Sequence, residues 1–165
     1  MEYKITIKNQ LTALRILIYN SIGFVGLAFY FYYQIGYIFV VEASIFIYYL
    51  IMAIPAIYTH IQYYRLNKND MVTFDMSQHS FRINNGDLIL FKDIETIIVY
   101  MSFVKYRKGF VKYLPSDNYQ YARFKFKGRE EYILTSLMIP ELEEFINTIN
   151  NVQIERKRLV IPVVL

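Results

Sequence analysis

The chain has 165 residues, of which 55% are hydrophobic, 18% aromatic and 19% charged. This composition is too apolar for an ordinary water-soluble domain of this length, so the apolar residues must be concentrated in one part of the chain. The length excludes a large multidomain enzyme, and the absence of cysteine excludes disulfide bonds, thiolate catalysis and zinc sites built on sulfur. The formal charge of +4 is mildly basic and favours acidic surfaces as partners.

The apolar residues are concentrated in residues 16–64, where Glu42 is the one charged side chain. Two membrane spans of about 20 residues each fill this length, and we place them at residues 16–34 and 38–61. Gly36 lies between them and permits the chain to reverse. The sequence therefore predicts a transmembrane hairpin of two α-helices.

Basic residues flank the predicted hairpin at one end only. They are Lys4, Lys8 and Arg15 before the hairpin and Arg65 and Lys68 after it. The positive-inside rule then places both termini in the cytoplasm and makes residues 1–15 a cytoplasmic segment. Glu42, near the start of the second span, is interpreted as an interfacial residue rather than a proton or ion site, because a charge at the bilayer centre costs about 2.5 to 3.5 kcal/mol.

After Arg65 the pattern changes from continuously apolar to alternating, which predicts a strand-rich domain at residues 66–151. Its strongest turn signal is the segment Asn84–Asp87, because Asn and Gly tolerate the positive φ angles of a tight hairpin. The predicted strands lie around residues 72–76, 81–83, 88–91, 94–104, 119–127 and 132–135.

An amphipathic helix is predicted after these strands. It starts near Pro140, and its apolar positions Leu142, Phe145, Ile146 and Ile149 follow helical spacing. Residues 152–165 are expected to be a tail or a closing strand. The predicted fold class is a membrane α-helical hairpin plus an α+β or all-β domain of six or seven antiparallel strands closed by a C-terminal helix.

Three segments carry a resemblance to known proteins: the strand pair around Phe74 and Phe81, the segment Phe91–Glu95 leading into a strand, and Tyr132–Ser136 running towards Pro140. The arrangement resembles the pleckstrin-homology-like (PH-like) fold. More closely, it resembles a family of small bacterial membrane proteins with an N-terminal two-span hairpin and a cytoplasmic PH-like domain. The resemblance implies a location in the cytoplasmic (inner) membrane and no assigned activity.

A cluster of eight basic side chains between residues 105 and 129 is the strongest candidate for a binding surface. Four of them occupy alternate positions of a predicted strand and so share one face. Held near a bilayer, such a surface would meet anionic headgroups at about 1 kcal/mol per Lys or Arg. The alternative is a solvated strand face that only keeps the domain soluble. The candidate residues are Lys105, Arg107, Lys108, Lys112, Arg123, Lys125, Lys127 and Arg129.

Enzyme chemistry has little support in the sequence. His60 and His79 are the two histidines, and they belong to no spaced metal or triad pattern. The six glycines form no phosphate-binding loop. We therefore predict a non-enzyme with no metal and no cofactor.

The preferred hypothesis is a membrane-anchored binding or regulatory module whose cytoplasmic domain contacts a protein, an anionic lipid or a small anionic ligand. Its other expected partners are the lipid bilayer and further copies of itself through the spans, whereas the low net charge argues against nucleic acid. A second hypothesis is a membrane-disrupting antiviral defence effector that senses a nucleotide-like signal. A third is an immunity or partner protein for a membrane toxin.

Overall fold

The computed structural model describes residues 1–36, 38–107, 114–150 and 152–164. The first long helix, α1 (Ile7–Ile35), begins after Thr6, whose hydroxyl accepts a hydrogen bond from the backbone N–H of Asn9 at 3.1 Å. It ends at Gly36, whose φ of 73° lies in the left-handed region that glycine adopts without strain. The predicted turn residue therefore ends the first helix of the hairpin.

The second long helix of the hairpin has three parts: α2 (Ile38–Tyr48), a π-helical turn (Tyr49–Ala53) and α3 (Ile54–Asn67). Pro55 has no N–H and cannot bond to the carbonyl four residues earlier, which weakens regular α-helix at this point. The two long helices meet where Tyr48 stacks on Phe24 with ring centroids 4.7 Å apart and its hydroxyl lies 3.2 Å from that of Ser21.

Both long helices leave most of their apolar side chains exposed. Tyr33 and Phe39, for example, are 87% and 77% exposed. In the most apolar 18-residue window of each helix, 11% and 6% of the residues are buried. A helix from the core of a soluble protein would be mostly buried, so these are helices long and apolar enough to cross a membrane.

The hairpin lies between the first two strands of the domain. β1 (Glu2–Lys4) pairs antiparallel with β2 (Met71–Asp75), and the backbone nitrogen of Met1 donates to the carbonyl of Phe74 at 2.6 Å. Our sequence interpretation began the domain at residue 66 and assigned no strand to residues 1–15. It missed β1 because three residues are too few to show alternation and the partner strand lies about 70 residues away.

Among the described residues, eight strands form two four-stranded sheets. After β1 and β2, the strands are β3 (Ser80–Ile83), β4 (Ile89–Leu90), β5 (Ile94–Ser102), β6 (Gln120–Phe126), β7 (Arg129–Thr135) and β8 (Gln153–Leu159). The first sheet has the order β1-β2-β3-β4 and the second has the order β7-β6-β5-β8.

Two features of the predicted domain need correction. The structure has eight strands in its described residues rather than six or seven, and β8 pairs parallel with β5 rather than antiparallel. The predicted closing helix, α5 (Leu142–Asn147), is followed by β8, so it does not end the domain. β8 lies within residues 152–165, where a tail or a closing strand was expected. Its bounds were not predicted, because four of its seven residues are consecutive charged residues, which an exposed edge strand tolerates.

The main core lies between the two sheets and α5. All four predicted apolar residues of the helical segment, Leu142, Phe145, Ile146 and Ile149, are buried there. Phe145 packs edge-on against Phe74 of β2, with ring centroids 4.3 Å apart. This core leaves the opposite, outer face of the second sheet available to the hairpin.

Candidate functional site at the hairpin-proximal end of the domain

A second buried cluster joins the hairpin to the outer face of the second sheet. It consists of Ala13 of α1, Tyr63 of α3, Tyr119, Tyr121 and Leu137. The Tyr63 ring stands edge-on to those of Tyr119 and Tyr121, at centroid distances of 5.5 and 6.1 Å. Since the cluster draws on both helices, the hairpin and the domain share a core at this junction.

Buried hydrogen bonds reinforce the junction. The side chain of Asn67, at the end of α3, donates to the carbonyl of Ile133 at 2.9 Å and accepts from the hydroxyl of Thr135 at 2.8 Å. The hydroxyl of Tyr63 donates to the carbonyl of Pro162 at 2.6 Å. Because α3 ends at Asn67 and β2 begins at Met71, the helix and the domain are joined without a long linker.

Two tyrosine hydroxyls at the junction also have polar partners. Tyr119 lies 3.0 Å from Nδ1 of His60, and Tyr132 donates to Oδ2 of Asp70 at 2.8 Å. Burial raises the pKa of both phenols, and the neighbouring Asp70 carboxylate raises the pKa of Tyr132 further. Both groups therefore stay protonated and neutral at physiological pH.

Two segments of the domain reach the side of the second helix near its π-helical turn. Leu114–Ser116 and Val160–Ile161 line an apolar cavity of about 180 Å³ together with Ile51, Met52 and Pro55. At 1.5 Å per residue, Pro55 lies about 28 Å along the helix from Gly36. This distance is close to the thickness of a bilayer's hydrocarbon core, about 30 Å. The two domain segments at Pro55 are thus separated from the hairpin turn by about the thickness of a bilayer's hydrocarbon core.

The predicted basic residues Lys105 and Arg107 lie at this hairpin-proximal end. Lys105 belongs to the short helix α4 (Phe103–Tyr106), which follows β5, and Arg107 comes directly after it. The guanidinium carbons of Arg107 and of Arg158 in β8 lie 4.5 and 5.4 Å from the ring centroid of Phe103. Phe103 is 41% exposed. We call Phe103, Arg107 and Arg158 the basic–aromatic patch.

The basic stripe predicted on β6 has the expected orientation. Ala122, Phe124 and Phe126 are buried in the core, so the alternating basic residues occupy the outer face. The guanidinium carbon of Arg123 lies 5.6 Å from the Tyr100 ring centroid, and Nζ of Lys125 lies 3.3 Å from a Glu131 carboxylate oxygen. Lys127 and Arg129 are exposed at the turn between β6 and β7.

The six described basic residues of the predicted set are spread along the length of the second sheet rather than gathered at one end of it. β5 and β6 are antiparallel, with Met101 opposite Gln120 and Ile94 opposite Phe126. The end of β5 that leads into α4 therefore lies beside the start of β6, whereas Lys127 in the turn and Arg129 at the start of β7 lie at its other end. Six residues of strand span about 20 Å, so this distance separates Lys105 and Arg107 at one end from Lys127 and Arg129 at the other. Lys108 and Lys112, the two remaining predicted residues, lie outside the described part of the chain.

Sequence reasoning missed two basic residues at the hairpin-proximal end. Arg15 served only as a topology signal, although its position directly before the first span could have indicated a place at the bilayer surface. Arg158 lay in a segment expected to be a tail or a closing strand, and only the parallel pairing of β8 with β5 brings it beside Phe103. In the residues that the structure describes, no group of three or more His, Asp or Glu could hold a metal ion.

A family model described as PH domain matches residues 2–147 of the chain. The matched range starts in β1, contains the hairpin and ends with α5, so β8 lies outside it. The hairpin therefore lies inside the matched range and does not precede it. No curated protein and no solved structure matches the chain.

Proposed function

The chain belongs to the PH domain family, and from this premise we propose that it is a non-enzymatic, membrane-anchored binding module. The hairpin spans the inner membrane of a bacterial cell, both termini are cytoplasmic, and the hairpin-proximal end of the domain contacts anionic lipid headgroups. The observation that carries this proposal is the insertion of an exposed apolar hairpin between β1 and β2, with its base packed into the second sheet.

The exposed apolar surface of the hairpin supports the membrane anchor. A contiguous apolar surface of this size is unstable in water, whereas a helix satisfies its own backbone hydrogen bonds and is stable in lipid. PH domains often bind lipids or proteins, and an anchor that holds the domain at a bilayer favours a lipid ligand.

The distribution of basic residues supports the orientation. Arg15, Lys105, Arg107 and Arg158 lie at the domain end of the hairpin, whereas the acidic Glu42 lies six residues after Gly36 at the opposite end. In the basic–aromatic patch, an exposed ring accompanied by guanidinium groups suits the headgroup layer, where aromatic and basic side chains concentrate.

The chain contains no tryptophan, which permits a direct test of the lipid contact. The full-length variant Phe103→Trp, reconstituted in bilayers containing brominated lipid, should show strong quenching of its fluorescence. The control Lys127→Trp places the same probe at the far end of β6 and should show little quenching. Equal quenching of both variants, or of neither, would contradict the proposed orientation.

A further inference from the structure

We propose that a cavity at the base of α1 binds the phosphodiester of a membrane lipid whose headgroup carries hydrogen-bond donors. This inference rests on the proposed function and assigns a lipid class to it. The cavity has a volume of about 200 Å³ and lies between α1, α4, the turn before β6 and the segment before α5. It is distinct from the basic–aromatic patch, none of whose residues lines it.

The charged residues of the cavity come from three separate elements. Arg15 of α1 and Lys105 of α4 supply two positive charges, and Glu141, just before α5, supplies one negative charge. The net charge of these described lining residues is therefore +1, which complements the single charge of a phosphodiester better than the double charge of a phosphomonoester. The other polar lining residues are Asn9, Thr12, Asn118 and Ser136.

The cavity wall is fixed by hydrogen bonds within the protein. The side-chain amide of Asn118 donates to the carbonyl of Ala13 at 2.9 Å, which joins the turn before β6 to α1. The hydroxyl of Ser136 accepts from the N–H of Gln120 at 3.2 Å and donates to the carbonyl of Asn118 at 3.4 Å. A lipid would thus meet a largely preformed site, which lowers the entropic cost of binding.

The position of Arg15 places the cavity at the level of lipid phosphates. Arg15 is separated from Gly36 by 21 residues, or about 31 Å of helix, which matches the hydrocarbon thickness of about 30 Å. A guanidinium group presents paired N–H donors that fit two phosphate oxygens, and the Lys105 ammonium adds a point charge. Glu141 offers a carboxylate acceptor to the hydroxyls of a glycerol headgroup or to the N–H groups of a primary ammonium, whereas the quaternary ammonium of choline has no hydrogen-bond donor.

The test measures phospholipid retained by the full-length protein. Protein reconstituted with equal parts of phosphatidylglycerol, phosphatidylethanolamine, phosphatidylcholine and phosphatidic acid is extracted in mild detergent, and bound lipid is counted by native mass spectrometry. We expect retention of the glycerol or ethanolamine lipid over the other two. Arg15→Gln combined with Lys105→Gln should lower that retention about tenfold, as expected for the loss of charge-assisted hydrogen bonds. Glu141→Gln should reduce the preference over phosphatidylcholine.

The matched control is Lys127→Gln combined with Arg129→Gln, which removes two positive charges at the far end of β6 and should retain lipid like the wild type. Arg15→Lys keeps the charge and should retain an intermediate amount of lipid, which separates binding from misfolding. The inference is overturned if the Arg15 and Lys105 double variant retains lipid normally, or if millimolar inorganic phosphate displaces the lipid and thus identifies a small-anion site. Failure of the wild-type chain to integrate into bilayers would instead refute the proposed function.

Discussion

The two ends of the second sheet both carry basic residues, yet their surroundings differ. At the far end, Lys125 pairs with Glu131, and Lys127 in the turn and Arg129 at the start of β7 are followed directly by Glu130 and Glu131. The acids offset these cations locally, which is typical of a solvated strand face. This end of the stripe fits the alternative in which the basic residues only keep the domain soluble.

At the hairpin-proximal end, by contrast, basic groups adjoin aromatic rings and a polar cavity. Arg107 and Arg158 lie at Phe103, while Arg15 and Lys105 line the cavity. These residues come from α1, from β8 and from the region of α4, which are far apart in sequence. The comparison shows that strand register and helix packing, rather than the density of charge along the sequence, decide which basic residues share a surface.

The largest expected effect comes from breaking the junction that gives the two ends their different surroundings. Tyr63 is fully buried, and truncation of a buried aromatic side chain costs about 3 to 5 kcal/mol. We expect Tyr63→Ala to lower the free energy of unfolding by about that amount, measured by denaturant titration of the full chain in detergent. The neighbouring Tyr64 is 41% exposed, so Tyr64→Ala should cost far less. Similar losses in both variants would show that the aromatic cluster does not stabilise the junction.

A smaller effect is expected for the polar part of the junction. Asn67→Ala removes the hydrogen-bond partner of the Ile133 carbonyl and of the Thr135 hydroxyl. We expect it to lower the free energy of unfolding by about 1 to 3 kcal/mol. Thr135→Val removes only the hydrogen bond from the Thr135 hydroxyl to Asn67 and leaves the bond from Asn67 to Ile133 in place. A double-mutant cycle of unfolding free energies, measured by denaturant titration, should therefore give a coupling energy between Asn67 and Thr135. If the losses of the two single variants simply add up in the double variant, the hydrogen bond between these side chains is contradicted.

Much of the local structure could be predicted from the sequence. The strands expected around residues 72–76, 94–104 and 119–127 are present as β2, β5 and β6. The first and last carry their own alternation of apolar and polar residues, and the second is an apolar run rich in β-branched and aromatic residues. The turn at Asn84–Asp87 is also present, although the positive φ angles occur at Asn84 and Asn85. Such patterns are local, so a single sequence reveals them.

The candidate site could be predicted only in part, because its geometry depends on contacts between distant segments. β1 is recognisable only through its partner β2, and the closing strand allowed for at residues 152–165 acquires its position in the sheet only through the pairing of β8 with β5. Those pairings place the hairpin inside the domain and bring Arg158 to Phe103. Without the register of β5, β6 and β8, the sequence assigned all eight basic residues to one predicted surface. It used Arg15 only as a topology signal.

A smaller effect again is expected when charges of the basic–aromatic patch are removed and compared with charges removed at the far end of β6. In bilayers with anionic lipid, Arg107→Gln and Arg158→Gln each remove about 1 kcal/mol of headgroup attraction. Combined with Phe103→Trp, the two changes should weaken quenching by brominated phosphatidylglycerol, and added salt should weaken quenching of the single Phe103→Trp variant in the same direction. Adding Lys127→Gln and Arg129→Gln to Phe103→Trp instead should leave quenching unchanged. An equal decrease with either pair would mean that net charge alone governs the contact.

The smallest expected effect concerns Asp75, at the end of β2 opposite the hairpin. The Ser77 hydroxyl donates to its carboxylate at 2.6 Å, and this bond, followed by the backbone N–H of Gln78, holds the pKa of Asp75 below its usual value. A lowered pKa in the folded state means that the contribution to stability is present above the unfolded pKa of about 3.9 and is lost as the pH falls through the folded value. Ser77→Ala should therefore raise the pKa of Asp75 towards its ordinary value, as measured by NMR titration of the carboxyl group. Because Asp75 is remote from the junction, the same substitution should leave the quenching of the Phe103→Trp probe unchanged, and a parallel change in both readouts would mean that the two ends of the domain are coupled.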